Sequence, residues 1–268
     1  MAARRRLDAE LVRRSLARSR EHAGELIAAG RVTVGGRAAT KPATQVETGA
    51  AIVVTRDDDD PEYASRGGHK LAGALAAFAP LGLTVSGRRC LDAGASTGGF
   101  TDVLLRGGAA RVAAVDVGYG QLAWSLRTDP RVAVYDRTNV RELVPETIDG
   151  RVDLVVGDLS FISLGLVLPA LAGCAEPDAD LVLMVKPQFE VGRERLGSGG
   201  VVRDPELRVD AVLTVAARAA ELGLGVRAVT ASPLPGPSGN VEYFVWFRAD
   251  APPVDPEQVR RAVAEGPS

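Results

Sequence analysis

From residue 89 onward the chain repeats one pattern: a short apolar or β-branched run, a loop rich in glycine or acid, then a helical stretch. The runs lie at 89–92, 111–116, 132–135, 152–156, 181–185, 226–230 and 243–247. Such alternation predicts an α/β fold, a doubly wound and mostly parallel sheet with helices on both faces. Residues 205–222 read most clearly as a helix, with Asp204 as N-cap, Pro205 at the first helical position and Glu206 in the first turn. The last connection breaks the pattern. Residues 232–240 are rich in proline and glycine and have no helical period, whereas a parallel crossover needs roughly a dozen residues or more. The final two strands are therefore expected to run antiparallel.

The loop after the first of these strands carries the densest chemical signal. Asp92-Ala93-Gly94-Ala95-Ser96-Thr97-Gly98-Gly99-Phe100 joins that strand to a helix beginning near Phe100. Glycines at such a turn let backbone approach a ligand at the carboxyl edge of a parallel sheet. Asp116 ends the next strand, from which an acid can bond ribose hydroxyls, and Asp136 follows the third, in reach of an adenine edge or of solvent. The loop reads GxSxGG, not the GxGxxG of NAD-binding proteins. An antiparallel final pair also occurs in class I methyltransferases and is absent from the usual dinucleotide fold. Both features favour S-adenosylmethionine over NAD.

The net charge of −2 conceals an asymmetry. Residues 1–41 hold ten basic side chains against four acidic ones, so the front is strongly positive and the remainder negative. That distribution suits a polyanion-binding module attached to a second domain; the plainer reading is a solvated arginine-rich face. Arg4, Arg6, Arg14, Arg18, Arg20 and Lys41 are the candidate RNA contacts. Leu7, Leu11, Val12 and Leu16 recur at helical spacing. A second helix begins after Ser19 as N-cap and ends before Gly30, and the runs 32–34 and 51–54 read as a small sheet turned at Gly35-Gly36. The Asp57–Asp60 run then marks a solvated linker.

Lysine is rare here: Lys41, Lys70 and Lys186 stand against 29 arginines. Arginine serves wherever permanent charge suffices, so a surviving lysine is a candidate for work that requires losing a proton. Lys186 sits at the carboxyl tip of the apolar run 181–185, and Lys70 opens the larger domain. Asp158, after the run 152–156, and Glu242, before the last strand, complete a constellation of two lysines and two acids.

Other chemistries find little support. Two cysteines, Cys90 and Cys174, with no CxxC, argue against a disulfide framework or a zinc site. The uncharged stretch 161–175 is too short and too broken by glycine and proline to span a bilayer, and no apolar segment follows the N-terminal arginines as a signal peptide requires. A cytoplasmic protein with no metal and no membrane partner is expected.

Taken as a set, RLDAELVRRSLARSREHAGELIAAGRVTVGG, SRGGHKL, LDAGASTGGFT, VDVGYGQLAW, DLSFISL, VKPQFE and SPLPGPSGNVEYF resemble the TlyA family of bacterial ribosomal RNA 2′-O-methyltransferases, across nearly all of residues 4–248. The resemblance implies an S4-type RNA-binding domain at 1–56, an acidic linker at 57–66, an FtsJ-like methyltransferase domain at 67–250 and a tail at 251–268. It implies a class I, Rossmann-like fold with a seven-stranded sheet, and a catalytic tetrad falling on Lys70, Asp158, Lys186 and Glu242. It further implies S-adenosylmethionine as cofactor, cytidine riboses of 16S and 23S rRNA as targets, ribosomal subunits as partners, and an effect on capreomycin- and viomycin-type antibiotic susceptibility. In that scheme Lys186 is the base, Asp158 orients its amine, and Glu242 holds Lys70 or the ribose. The family has also carried a haemolysin label. A membrane-active toxin and a cofactor-binding RNA chaperone without catalysis are the rival readings, separable by liposome dye release and by methyl transfer.

Overall fold

The computed structural model describes residues 4–17, 19–55, 61–236 and 239–267. The chain divides into two compact units, Met1–Glu62 and Tyr63–Ser268. Arg18 and the Asp57–Asp60 run, singled out above, lie outside the described residues.

In the first unit, strand β1 (Arg4–Arg6) leads into helix α1 (Leu7–Arg13), and helix α2 (Arg20–Ala28) follows. Ser19 caps α2 by accepting from the His22 amide, and Gly30 leaves it in the left-handed region. Strands β2 (Val32–Val34), β3 (Arg37–Ala38), β4 (Gln45–Glu47) and β5 (Ile52–Val54) complete it. β2 pairs antiparallel with both β3 and β5, and β1 pairs antiparallel with β4. The core is small: Leu7, Leu11, Ala17, Ala23, Leu26, Ile27, Val32 and Val46. The sequence reading has no counterpart for β1, and it continues the first helix to Leu16, whereas α1 ends at Arg13.

In the second unit, helix α3 (Gly67–Phe78) precedes strand β6 (Arg89–Ala93), helix α4 (Gly99–Arg106), strand β7 (Arg111–Val115), helix α5 (Trp124–Arg127) and strand β8 (Val132–Tyr135). Then come β9 (Val152–Gly157), α6 (Leu168–Cys174), β10 (Ala175–Val185), α7 (Pro187–Glu190), α8 (Pro205–Ala220), β11 (Gly225–Ala231), β12 (Tyr243–Arg248) and α9 (Pro256–Glu265). The seven strands form one sheet in the order β11-β12-β10-β9-β6-β7-β8. The pairs from β10 through β8 are parallel, and β12 runs antiparallel to both neighbours, as the proline- and glycine-rich connection before it requires.

Alternation along each strand sends side chains to two cores. Leu91, Val155, Leu183, Val245 and Phe247 meet Leu168, Val212 and Val263 from α6, α8 and α9 on one face. Cys90, Leu154, Val182, Phe244 and Trp246 meet Leu71, Phe78 and Leu104 from α3 and α4 on the other. Burying one such side chain fully contributes about 1.5–3 kcal/mol, so these two layers hold the sheet edge rigid. The residues after 250, read from sequence as a tail, form the capped helix α9, whose Val259 and Val263 lie within the first of these cores. Both cysteines are buried, and burial pushes the Cys90 thiol up to about 12, which removes it from chemistry at neutral pH.

Candidate active site

The register places the proposed functional residues along one edge. Ala93 pairs with Val115 and with Gly157, and Val115 with Tyr135, so Asp116, Asp136 and Asp158 each leave the carboxyl end of a neighbouring strand. Val185 pairs with Tyr243, which sets Lys186 and Glu242 beside each other at that edge. Because β12 is reversed, Glu242 arrives there by preceding its strand.

The two lysines are 6% and 7% exposed, and each is matched to a carboxylate. Lys70, in the first turn of α3, donates to Glu242 Oε2 at 2.6 Å, and Glu242 is wholly buried. Lys186, at the N-cap position of α7, forms an ion pair with Asp158 Oδ1 at 2.5 Å and donates to Ser160 Oγ at 2.7 Å. Glu242 Oε1 is buried without a hydrogen-bond partner among the described residues, so this pair keeps an acceptor in reserve. Sequence reasoning passed over Ser160; its position two residues after Asp158 in the DLSF motif was the available signal.

The glycine loop is anchored from several sides. The amides of Gly94 and Ala95 donate to Val115 O, and the Ser96 amide donates to Asp116 Oδ2 at 2.8 Å. The other Asp116 oxygen accepts from the Gly118 amide at 2.7 Å. Gly94 has φ +85, and a Cβ there would come within 2.8 Å of the Asp158 carbonyl oxygen, so any side chain would close the cleft between the first and fourth loops. Ser96 and Thr97 are exposed on the loop surface, while Ala95, Gly98 and Gly99 are buried beneath it.

Two of the expected ligand residues belong to the floor of the site. Asp92 is fully buried, and its Oδ2 accepts from the Thr101 hydroxyl at 2.6 Å, which ties the tip of β6 to α4. Burial pushes its carboxyl up to about 7, and the Asp158 and Asp116 charges add to the rise. Phe100 is a core ring stacked near Phe244, with centroids 5.9 Å apart. Asp136 is held by Arg127 at 2.8 Å, which lowers its pKa. Beside Asp116 the structure also exposes Val117 and Tyr119, the latter under the Arg137 guanidinium at 4.3 Å. These offer apolar surface next to Asp116 and were not singled out from sequence.

In the first unit the basic side chains divide into two groups. Arg6 and Arg20 both bond Asp8, and Arg13 and Arg14 both bond Glu10. Arg14 also donates to the Thr48 and Ala50 carbonyls and is only 22% exposed, so its guanidinium is a structural clamp. Arg4 reaches Glu47 only at 3.9 Å, and Lys41 is exposed, which leaves both facing solvent. Among the described residues there is no group of histidine, cysteine or acidic side chains able to hold a metal, and no helix long and apolar enough to cross a membrane.

Known proteins match both units. The FtsJ-like methyltransferase family model matches residues 63–249 and the S4 domain model residues 5–52. The chain is 63% identical over 274 residues, with all of both chains covered, to the 16S/23S rRNA (cytidine-2′-O)-methyltransferase TlyA of Mycobacterium tuberculosis. It is 35% identical to Hemolysin A of Brachyspira hyodysenteriae over 90% of this chain and 99% of that one. A solved structure from Streptococcus thermophilus, described as a putative hemolysin, superposes with a TM-score of 0.78 at 38% identity, over 99% of this chain and 96% of that one.

Proposed function

The chain is a methyltransferase of the TlyA family, and on that premise we propose that it methylates the 2′-hydroxyl of cytidine in ribosomal RNA, with S-adenosylmethionine as donor. The observation that carries this reading is the pair of buried lysine–carboxylate contacts, Lys70–Glu242 and Lys186–Asp158, set at one sheet edge beside the glycine loop.

The residues at that edge fit the donor. The cofactor is positively charged, and Asp116, Asp136 and Asp158 line the loops where it would lie. Each Asp116 oxygen is engaged by one amide and keeps a further lone pair for a ribose hydroxyl. Val117 would lie against the adenine. Bound S-adenosylmethionine supplies a methyl group already activated on sulfur.

What remains for the protein is alignment and removal of one proton. Lys186 takes the proton of the ribose 2′-hydroxyl, after giving its own to solvent. Asp158 and Ser160 fix its amine so that the lone pair faces the hydroxyl. Glu242 holds Lys70, and its spare oxygen accepts from the target ribose.

The S4-type unit docks on RNA through phosphates, with Arg4 and Lys41 facing outward, and leaves the methyltransferase unit to reach a single ribose. The finer targets, cytidines of 16S and 23S rRNA in ribosomal subunits of the cytoplasm, and the effect on capreomycin- and viomycin-type susceptibility, belong to the same proposal. The test is transfer of labelled methyl from S-adenosylmethionine to purified ribosomal subunits, followed by mass spectrometry of the rRNA. A 2′-O-methylcytidine is expected; label on a base, or none, would overturn the reading.

A further inference from the structure

Glu190 has no part in the chemistry above, yet both of its carboxylate oxygens are engaged. The Ser163 hydroxyl donates to Oε2 at 2.6 Å and the Leu164 amide to Oε1 at 2.8 Å. Ser163 in turn caps the short turn 164–166, accepting from the Gly165 amide at 3.2 Å. Glu190 ends α7, four residues after Lys186, and Ser163 lies five residues after Asp158.

Three links therefore join the loop after β9 to the loop after β10, in the same order along both. Lys186 meets Asp158 and Ser160, the Phe189 ring lies 5.4 Å from the Phe161 ring, and Glu190 meets Ser163 and Leu164. The parallel pairing of Gly157 with Leu183 starts the two loops from the same edge. Between the first and third links, Phe161 holds φ +63 with its side chain 90% exposed. A left-handed aromatic residue is unfavourable, and its own ring gains little burial to offset the cost. The loop keeps this form because it is fastened on both sides, at Ser160 and at Ser163.

We propose that Glu190 is a positioning residue for methyl transfer: by fastening Ser163 and Leu164 it fixes the loop that brings Asp158 and Ser160 to the Lys186 amine. This rests on the reading of Lys186 and Asp158 as groups that act on the ribose hydroxyl. Burial makes the Glu190 carboxylate dependent on its two donors and raises its pKa, so losing either donor loosens the far link first.

The test uses the full-length protein with ribosomal subunits and labelled S-adenosylmethionine. Glu190→Ala is expected to lower kcat about 10- to 100-fold, the size of loss that a misplacement near 1 Å produces. The KM for cofactor should stay within about twofold, and the pH profile of kcat should shift because Lys186 no longer sits squarely on Asp158. Glu190→Gln keeps one acceptor oxygen and should recover part of the loss, and Ser163→Ala, which leaves the acid in place, should show a smaller one. Wild-type kcat in Glu190→Ala overturns the proposal. So does a loss that follows cofactor affinity or melting temperature, or a Gln variant no better than Ala. Lys186→Ala run in parallel separates the two levels: if it stays active the underlying reading fails, and if it is dead while Glu190→Ala is normal only the positioning role fails. Should Glu190→Ala not fold, the Gln and Ser163→Ala variants decide.

Discussion

In the N-terminal unit Asp8 and Glu10 are buried against pairs of arginines, whereas at the candidate site of the methyltransferase unit Glu242 and Asp158 each meet a single lysine and Asp92 meets no cation; away from that site Asp180 is held by Arg88 and Arg248, much as the N-terminal acids are. The electrostatic outcomes are opposite. Arg6 and Arg20 hold Asp8 well below the usual carboxylate range, and Arg13 and Arg14 hold Glu10 at about 2. Asp92, with only a hydroxyl for company, rises to about 7. An arginine keeps its proton at any working pH, so an arginine-held acid is a fixed structural joint. A lysine can release its proton, so a lysine-held acid can take part in a reaction cycle. The difference also corrects a count: several of the positive charges in the first 41 residues neutralise internal acids and are not available to RNA.

The sharpest way to break this contrast is to put arginine where lysine now stands. Lys186→Arg preserves charge but removes the proposed base, and methyl transfer to ribosomal subunits should fall by about 10²- to 10⁴-fold. Near-normal transfer would falsify the claim that proton loss at this position matters.

Next in size is Asp92. Its native pKa lies above the ordinary value of 3.8, so the folded state binds more protons than the unfolded state between about pH 4 and 7. Stability of the methyltransferase unit is therefore full below pH 4 as far as this group is concerned. It falls as pH rises to 7, by at most about 4 kcal/mol, and is level above. Asp92→Asn should flatten that slope in urea midpoints measured from pH 5 to 8. An unchanged slope would show that Asp92 is not the titrating group.

A smaller effect tests the opposite side of the contrast. Glu10 is depressed, so its contribution is present above pH 4.5 and is lost as pH falls from there towards 2. Arg14→Ala should weaken that dependence and lower the melting temperature of the N-terminal unit by about 4–8 °C. If its main effect were on RNA affinity instead, Arg14 would belong with the outward-facing residues. Smallest is Lys41→Ala. It should reduce the slope of log affinity against log salt by about 1, with no change in melting temperature. A shift in melting temperature there would blur the line between clamp and contact.

Much of this architecture was readable before any coordinates. The seven apolar runs became the seven strands, and the proline-rich connection before Glu242 signalled the reversed last strand. Strand-tip location singled out Lys186, Asp158 and Asp116, because a carboxyl edge follows from strand direction alone. The arginine clamps were not readable. An arginine at helical spacing looks alike whether it meets Glu10 or a phosphate, and only tertiary approach to Thr48 and Ala50 separates the cases. Three consecutive arginines carry no apolar alternation, so β1 emerges only from its pairing with β4. The role of Phe100 was hidden for a related reason, since its motif position was plain but its core partner, Phe244, lies on the last strand. Helix α9 could have been found: Asp255 and Pro256 are an ordinary N-cap and first helical residue.

The Lys70–Glu242 pair spans 172 residues and is closed by the last strand of the sheet. A ribosome making this chain therefore releases the lysine long before its acid. Until β12 inserts between β10 and β11, β10 stands as an open apolar edge and the Lys70 ammonium has no carboxylate to meet. A product cut short after residue 241 would hold the glycine loop and three of the four paired groups, yet lack the residue that completes them. Under the proposed roles of these four residues, the site is complete only once β12 has been made and has joined the sheet.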